Sequence, residues 1–403
     1  MTRRFREERL RVGAPLTQIR GLPDREPLPG LSDMCGEAPM GAERTSVGLD
    51  VHARSVSAAA IDGVTGELIK QRLVPDPRVV LDWVHDLPAP AAVTYEAGPT
   101  GFGLARALAA AGIRCEVAAP SKINRPPGDR IKTDARDAVL LARLLRLDDI
   151  VAVRVPTVAQ ESARDLVRAR EDARGDLMRV RHRLSKLLLR HGHVYSGGAA
   201  WTGKHEQWLR QIRFDGRGRA GTQAAYAADL EALTLTVARR DRLDEQITAL
   251  AADSEFTPVT WRLCCLRGIS TLTGFSLAVE IGDWSRFTGA SIGAYLGLIP
   301  SEHSSGNSRR QGAITKTGNS HVRRLLVEAA WHHQPAYRIG PTMRARWDQA
   351  TPAARVRGHA GNQRLHDRWV QLSSRNKKHT VACVAIAREL AGWCWSLATL
   401  PDA

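Results

Sequence analysis

The chain has no C-x-x-C pair among its six cysteines, and Cys264 and Cys265 are adjacent, a spacing that suits neither a zinc site nor a disulfide framework. This usage fits a reducing, cytoplasmic setting. No run of 18 apolar residues occurs, and the charged N-terminus MTRRFREERLRVG is followed by no apolar h-region, so secretion and membrane insertion are not expected. An acidic excess is also lacking: 58 Lys and Arg stand against 42 Asp and Glu, a net charge of +16, which favours polyanionic partners through counterion release. Residues 1–45 lack apolar periodicity and are rich in Arg, Pro, Gly and Glu, as expected of a disordered extension or an over-extended gene start.

The 403 residues exceed what one core usually organises, and the charge is uneven along them. Residues 47–150 carry 13 basic and 13 acidic side chains, whereas residues 301–380 carry 15 basic and 4 acidic, a net +11. In the neutral region SVGLDVH, SVSAAAID and LIKQRLV read as three short strands joined by turns, followed by the helical VVLDWVHDL. AAVTYEA, GFGLARALAAAG and RCEVAAP then form a β-α-β unit, and TDARDAVLLARLLR reads as a helix capped by its Thr-Asp start. The expected N-terminal domain, residues 46–155, is a mixed sheet covered on both faces.

From residue 156 to 255 the pattern turns helical. Leu177, Val180, Leu184 and Leu187 repeat at the spacing of a packing seam, and a second helical run spans 224–252. Two long helices flanking the Gly-rich, Trp-bearing segment 192–223 make a coiled-coil arm that reads as a dimerisation arm, a nucleic-acid clamp or a plain spacer. Residues 256–396 are expected to form a mostly helical third domain. There two apolar helical runs flank Gly268-Ile269-Ser270, which resembles a helix-hairpin-helix, a sequence-neutral grip on phosphate.

Chemistry points first to carboxylates. Asp50 ends the first strand, Glu96 ends the strand before the β-α-β helix, and Asp134 and Asp137 open a later helix, three residues apart and therefore on one face. If the first and fourth strands are neighbours their ends bring Asp50 and Glu96 together, the arrangement of ribonuclease H-like nucleases. Four mutually repelling carboxylates call for divalent cations. Mg2+ prefers such oxygens and leaves positions for phosphate and water, and two such ions stabilise a phosphoryl displacement. Singly, each residue reads better as a surface acid or, for Asp134 and Asp137, as a charge complementing a helix N-terminus; jointly they point to a metal site.

The second constellation is the polar stretch SEHSSGNSRRQGAITKTGNSHVRRLL. Ser304 and Ser305 precede Gly306, which most simply is turn chemistry, and Glu302 is the only acid in the loop. Arg309, Arg310, Lys316, Arg323 and Arg324 are the expected nucleic-acid contacts. Trp347 and Trp369 read either as base-stacking side chains or as core, and Trp393 and Trp395 as packing or oligomer contacts.

The motifs GLDVH, YEAGPTGFG, RIKTDARDA, GISTLTGFSLAVEIGDWSRF, AYLGLIPSEHSSG and ITKTGNSHVRRLL resemble the DEDD transposases of bacterial insertion sequences, a family that includes the Piv-type DNA invertases. The resemblance runs from about residue 46 to 396. It implies a RuvC-like, ribonuclease H-type N-terminal fold in which Asp50, Glu96, Asp134 and Asp137 bind Mg2+. It further implies that Ser305, the best match in the S-S-G loop with Ser304 as alternative, attacks the scissile phosphodiester and becomes linked to DNA. A partner subunit's carboxylates complete the centre, so a dimer or tetramer is implied. The partners implied are the DNA of the element ends and target and a structured noncoding guide RNA. The competing readings are a RuvC-like endonuclease acting by metal-dependent hydrolysis and a non-catalytic nucleic-acid-binding protein.

Overall fold

The computed structural model describes residues 44–124, 133–305, 308 and 310–401. The expectations for the N-terminal extension and for Arg309 lie outside them. The chain divides into two compact units, residues 1–155 and 156–403.

The first unit runs β1 (Thr45–Val51), β2 (Val56–Asp62), β3 (Leu68–Leu73), α1 (Pro77–His85), β4 (Ala91–Glu96), α2 (Gly103–Ala110), β5 (Arg114–Ala118) and α3 (Asp134–Arg146). The sheet order is β3-β2-β1-β4-β5, with β1, β2 and β3 antiparallel to their neighbours and β1, β4 and β5 parallel. The first and fourth strands are therefore adjacent. Strand alternation sends Val47, Leu49, Val93 and Tyr95 to one face, where they bury against Val80, Trp83 and Leu108 of α1 and α2. The side chain of Asp76 caps α1 by accepting from Arg78 N at 2.9 Å, with Pro77 at the first helical position.

The opposite face receives α3, which Thr133 caps through the Arg136 amide. The approach is unusually close because Gly48 of β1 has no side chain. A Cβ there would lie 2.1 Å from the Ala138 carbonyl oxygen and 2.4 Å from the Ala142 nitrogen. Its cross-strand partner Ala59 is also small and buries against Ala138 and Val139.

In the second unit, α4 (Val158–Arg190) and α6 (Ala220–Ala252) lie antiparallel, since Arg170 pairs with Asp244 at 2.6 Å while Arg183, further along α4, pairs with Asp229 at 3.4 Å. The seam residues Leu177, Val180, Leu184 and Leu187 are all buried. The intervening segment is folded. It contains α5 (Gly203–Gln211), whose buried His205 packs among Tyr195, Trp201 and Trp208 with ring centroids 4.7–5.4 Å away.

There follow α7 (Thr257–Leu263), α8 (Thr271–Ile281), α9 (Ser291–Tyr295), a hairpin of β6 (Pro300–Glu302) and β7 (Gln311–Ile314), α10 (Ser320–Ala330), α11 (Pro341–Trp347), α12 (Pro352–Ser374) and α13 (His379–Ala398). A short connection joins α7 and α8. Gly268 takes φ +82°, packed so closely on Ala329 that no Cβ fits, and Ser270 caps α8 through Thr273 N. Helix α13 is long and apolar enough to cross a membrane, but Ala382, Ile386, Ala387, Leu390 and Leu397 sit in the core of this unit. Cys264 and Cys265 lie in the same core, where burial pushes both thiols up to about 12.

Candidate active site

The close passage of α3 over Gly48 builds the carboxylate site. Alternation along β1 places Gly48, Asp50 and His52 on the α3 side, with His52 just past the strand's end. Gly48 and Leu49 align with Thr94 and Tyr95 of β4, so Glu96, the next residue, shares the face of Thr94 and Gly48 and follows the strand end beside Asp50. Asp134 and Asp137 occupy the first turn of α3 above the same face, and both raise the pKa of Asp50 by like-charge repulsion. Burial is the larger cause of that rise, and His52 opposes it.

His52 is the residue that sequence reasoning passed over. Its Nε2 lies 3.1 Å from Asp50 Oδ2 and 3.8 Å from Asp134 Oδ1, so the ring bridges two carboxylates from different elements. Ligand atoms of Asp50, His52 and Asp134 all fall within 4.8 Å of one another, close enough to share one metal ion. The donor set fits a divalent cation, because clustered carboxylate oxygens without a counter-charge are otherwise costly. The signal was available: in GLDVH, the i,i+2 spacing on a strand puts Asp and His on one face.

The serine loop, read from sequence as a turn, is the β6–β7 hairpin. Ser305 and Ser308 exchange backbone bonds of 3.1 and 3.0 Å, and His303 N donates to Arg310 O at 2.9 Å. Ser304 Oγ donates to Glu302 Oε1 at 2.8 Å, giving that hydroxyl an acid neighbour. Ser304, Ser305, Arg310 and Lys316 are exposed. Arg323 and Arg324, also expected at nucleic acid, turn toward the protein. Arg323 donates to the carbonyls of Leu296 and Thr317 at 2.9 and 2.7 Å, and Arg324 pairs with Glu171 and with Glu328. Trp369 is buried, and Trp347 donates to Cys265 O at 3.1 Å, so the core reading describes both.

A second feature missed from sequence is the buried carboxylate of Glu280 at the end of α8. Arg168 grips it with two bonds of 3.0 and 3.1 Å, Asn319 Nδ2 donates at 2.9 Å, and His321 Nδ1 lies at 3.5 Å. Burial opposes ionisation, yet the bonds from His321, Arg168 and Asn319 outweigh it and hold the carboxyl at about 2. This hub ties α4 to α8 and to the start of α10.

Comparison with known proteins identifies the family of the chain. Residues 47–192 match the DEDD transposase model of the IS110 group, and residues 262–348 match the model described as transposase IS116/IS110/IS902 family. A putative transposase of Sinorhizobium fredii, y4qE, is 40% identical over 305 residues, which cover 75% of this chain and 74% of that one. The transposase for insertion sequence element IS1533 of Leptospira borgpetersenii is 29% identical over 354 residues, 82% of this chain and 97% of that one. The five-stranded mixed sheet is consistent with a RuvC-like fold, and the family matches identify a transposase of an insertion sequence. The chain belongs to the IS110/IS116 transposase family.

Proposed function

We propose that this transposase cuts and rejoins DNA by two transesterifications, with Ser305 as nucleophile and Asp50, Glu96, Asp134 and Asp137 holding Mg2+ at the scissile phosphate. The observation that carries the reading is the gathering of Asp50, His52 and Asp134 ligand atoms within 4.8 Å of one another, with Glu96 on the same sheet face and Asp137 in the first turn of α3. Mg2+, when bound there, supplies charge neutralisation for the phosphorane-like transition state and lowers the cost of the clustered acids. In the first step the Ser305 Oγ–phosphorus bond forms as one phosphorus–oxygen bond to deoxyribose breaks. The hydroxyl proton passes to a base and the departing oxygen takes up a proton. Rejoining reverses this, with a strand-end hydroxyl displacing serine, so no water is consumed.

Several features support the division of labour. The hairpin carries Ser304 and Ser305 exposed, with exposed Arg310 and Lys316 following in the same stretch, which suits an incoming phosphate. Ser304 is the alternative nucleophile, and its bond to Glu302 is the argument for it. His52 serves as a further ligand or as the group that orients Asp50 and Asp134. Binding of a structured noncoding guide RNA, together with element-end and target DNA, is part of the same proposal, supported by the net +11 of residues 301–380. The working form is a homo-oligomer.

The test is a denaturing-gel assay for a covalent protein–DNA adduct on an element-end duplex with Mg2+. The proposal expects an adduct that Ser305→Ala abolishes and Ser304→Ala retains. Cleaved ends released without adduct by Ser305→Ala would instead identify a metal-dependent hydrolase, and activity untouched by Asp50→Asn would remove the carboxylates from the chemistry altogether.

A further inference from the structure

Glu280, at 3% exposure, is the most deeply buried carboxylate among the described residues, and the chemistry above does not use it. A buried ion pair is costly to assemble, and well-packed apolar side chains of similar volume often serve stability as well or better. What the carboxylate holds is therefore informative. The end of α8 is clamped to one face of α4 by residues spaced four apart. Gln160 Nε2 donates to the Val279 carbonyl at 2.8 Å, and Arg164 donates to the carbonyls of Val279 and Glu280 at 3.1 and 2.9 Å. Arg168 then grips the Glu280 carboxylate itself, so that side chain stands on a fixed frame.

The frame presents Glu280 Oε2 to Asn319, whose Nδ2 donates to it at 2.9 Å. The other end of that amide, Oδ1, caps α10 by accepting from the His321 and Val322 amides at 3.0 and 3.1 Å. Asp, Ser and Thr also cap helices, but of the four only asparagine carries an N–H donor beside its accepting oxygen. Asn319 is also where the hairpin joins α10, through residues 315–318. That link is packed against the other hairpin stem. Thr315 N donates to Ile299 O at 2.9 Å and Lys316 N to Gly297 O at 3.1 Å, Arg323 bridges the carbonyls of Leu296 and Thr317, and Gly318, at φ +68°, leaves no room for a Cβ against the Tyr295 carbonyl. Both stems of the hairpin are thereby tied to Asn319.

We infer that Glu280 and Asn319 are positioning residues for strand transfer: the bond between them fixes the base of the β6–β7 hairpin on the α4–α8 frame and so sets where its serines meet the phosphate. The inference rests on the reading that a serine of the hairpin is the nucleophile. Neither residue touches the reacting atoms. Ser304 and Ser305 are exposed, so their place is inherited from the hairpin base rather than from packing around them. A firm base matters because a misplacement of about 1 Å by a change far from the chemistry can cost on the order of 10²-fold in rate. A role in stability alone would move the melting temperature and leave the rate of the folded protein as it was.

The experiment measures single-turnover adduct formation by the full chain on an element-end duplex with Mg2+, at saturating protein and below the melting temperature of every variant, beside duplex affinity. Asn319→Ser keeps a capping oxygen and leaves Arg168 on Glu280, removing the Nδ2 donor. Its adduct rate is expected to fall about 10- to 100-fold with duplex affinity unchanged. Asn319→Asp sets two carboxylates against each other and is expected to be slower still. Adding Glu280→Gln reverses the pair, an amide now donating to a carboxylate, and the double variant is expected to be about tenfold faster than Asn319→Asp. If Asn319→Asp does not fold, Asn319→Ser decides alone. A wild-type rate in Asn319→Ser, a loss of duplex affinity that accounts for its slower rate, or a double variant no faster than Asn319→Asp overturns the inference and leaves the serine reading in place. An adduct that survives both Ser304→Ala and Ser305→Ala overturns the two together.

Discussion

The two candidate regions solve opposite electrostatic problems. The carboxylate face of the first unit concentrates acids on a rigid frame: a helix crosses a strand at backbone contact, and Asp50, Asp134 and Asp137 are held near one another despite their repulsion. The serine hairpin of the second unit is exposed and two-stranded, flanked by cations, in a stretch of net +11. The difference shows where precision is kept and where reach is kept. The acids are fixed by packing, whereas the group proposed to meet DNA stands on a short strand pair at the surface.

The largest expected effect breaks the second region. Ser305→Ala removes the proposed nucleophile, and strand transfer is expected to fall on the order of 10⁶-fold, read as loss of joined product in a quantitative recombination assay. Asp50→Asn breaks the first region, with an expected loss of about 10²- to 10³-fold and intact duplex binding by filter retention. Gly48→Ala attacks the frame. Its Cβ would strike the backbone of α3, so the first unit is expected to lose about 3 kcal/mol by denaturant titration, with metal affinity falling alongside.

Smaller effects sharpen the contrast. His52→Ala is expected to weaken metal binding about 10-fold by isothermal titration while leaving the fold intact, since His52 is largely exposed. Glu280→Gln is expected to cost about 1–3 kcal/mol in the second unit. Its sign with pH follows from a carboxyl lowered from 4.5 to about 2: the ionised hub contributes fully above 4.5 and is lost as pH falls toward 2. The stability gap between wild type and Glu280→Gln should therefore be constant from pH 5 to neutrality and narrow in acid.

Much of this was legible in the sequence where one period governs a whole element. The alternation of SVGLDVH and AAVTYEA gave β1 and β4, and the 3,4,3 spacing of Leu177, Val180, Leu184 and Leu187 gave the seam of α4. The four carboxylates were legible as strand-end and helix-start acids, because the ends of parallel neighbours converge. Features that depend on distant partners were not. Gly48 reads as an ordinary strand glycine until α3 is laid over it, and Glu280 reads as a helix-end acid until Arg168, more than a hundred residues earlier, closes on it. The hairpin strands β6 and β7 are three and four residues long, too short for alternation to show, so the loop read only as a turn.

The most direct test is to trap the reaction on element-end DNA with Mg2+, digest the protein and locate the attached nucleotide by mass spectrometry. The account predicts a phosphodiester on Ser305, present in wild type and absent from both Ser305→Ala and Asp50→Asn. Cleaved DNA with no nucleotide on any serine would contradict it.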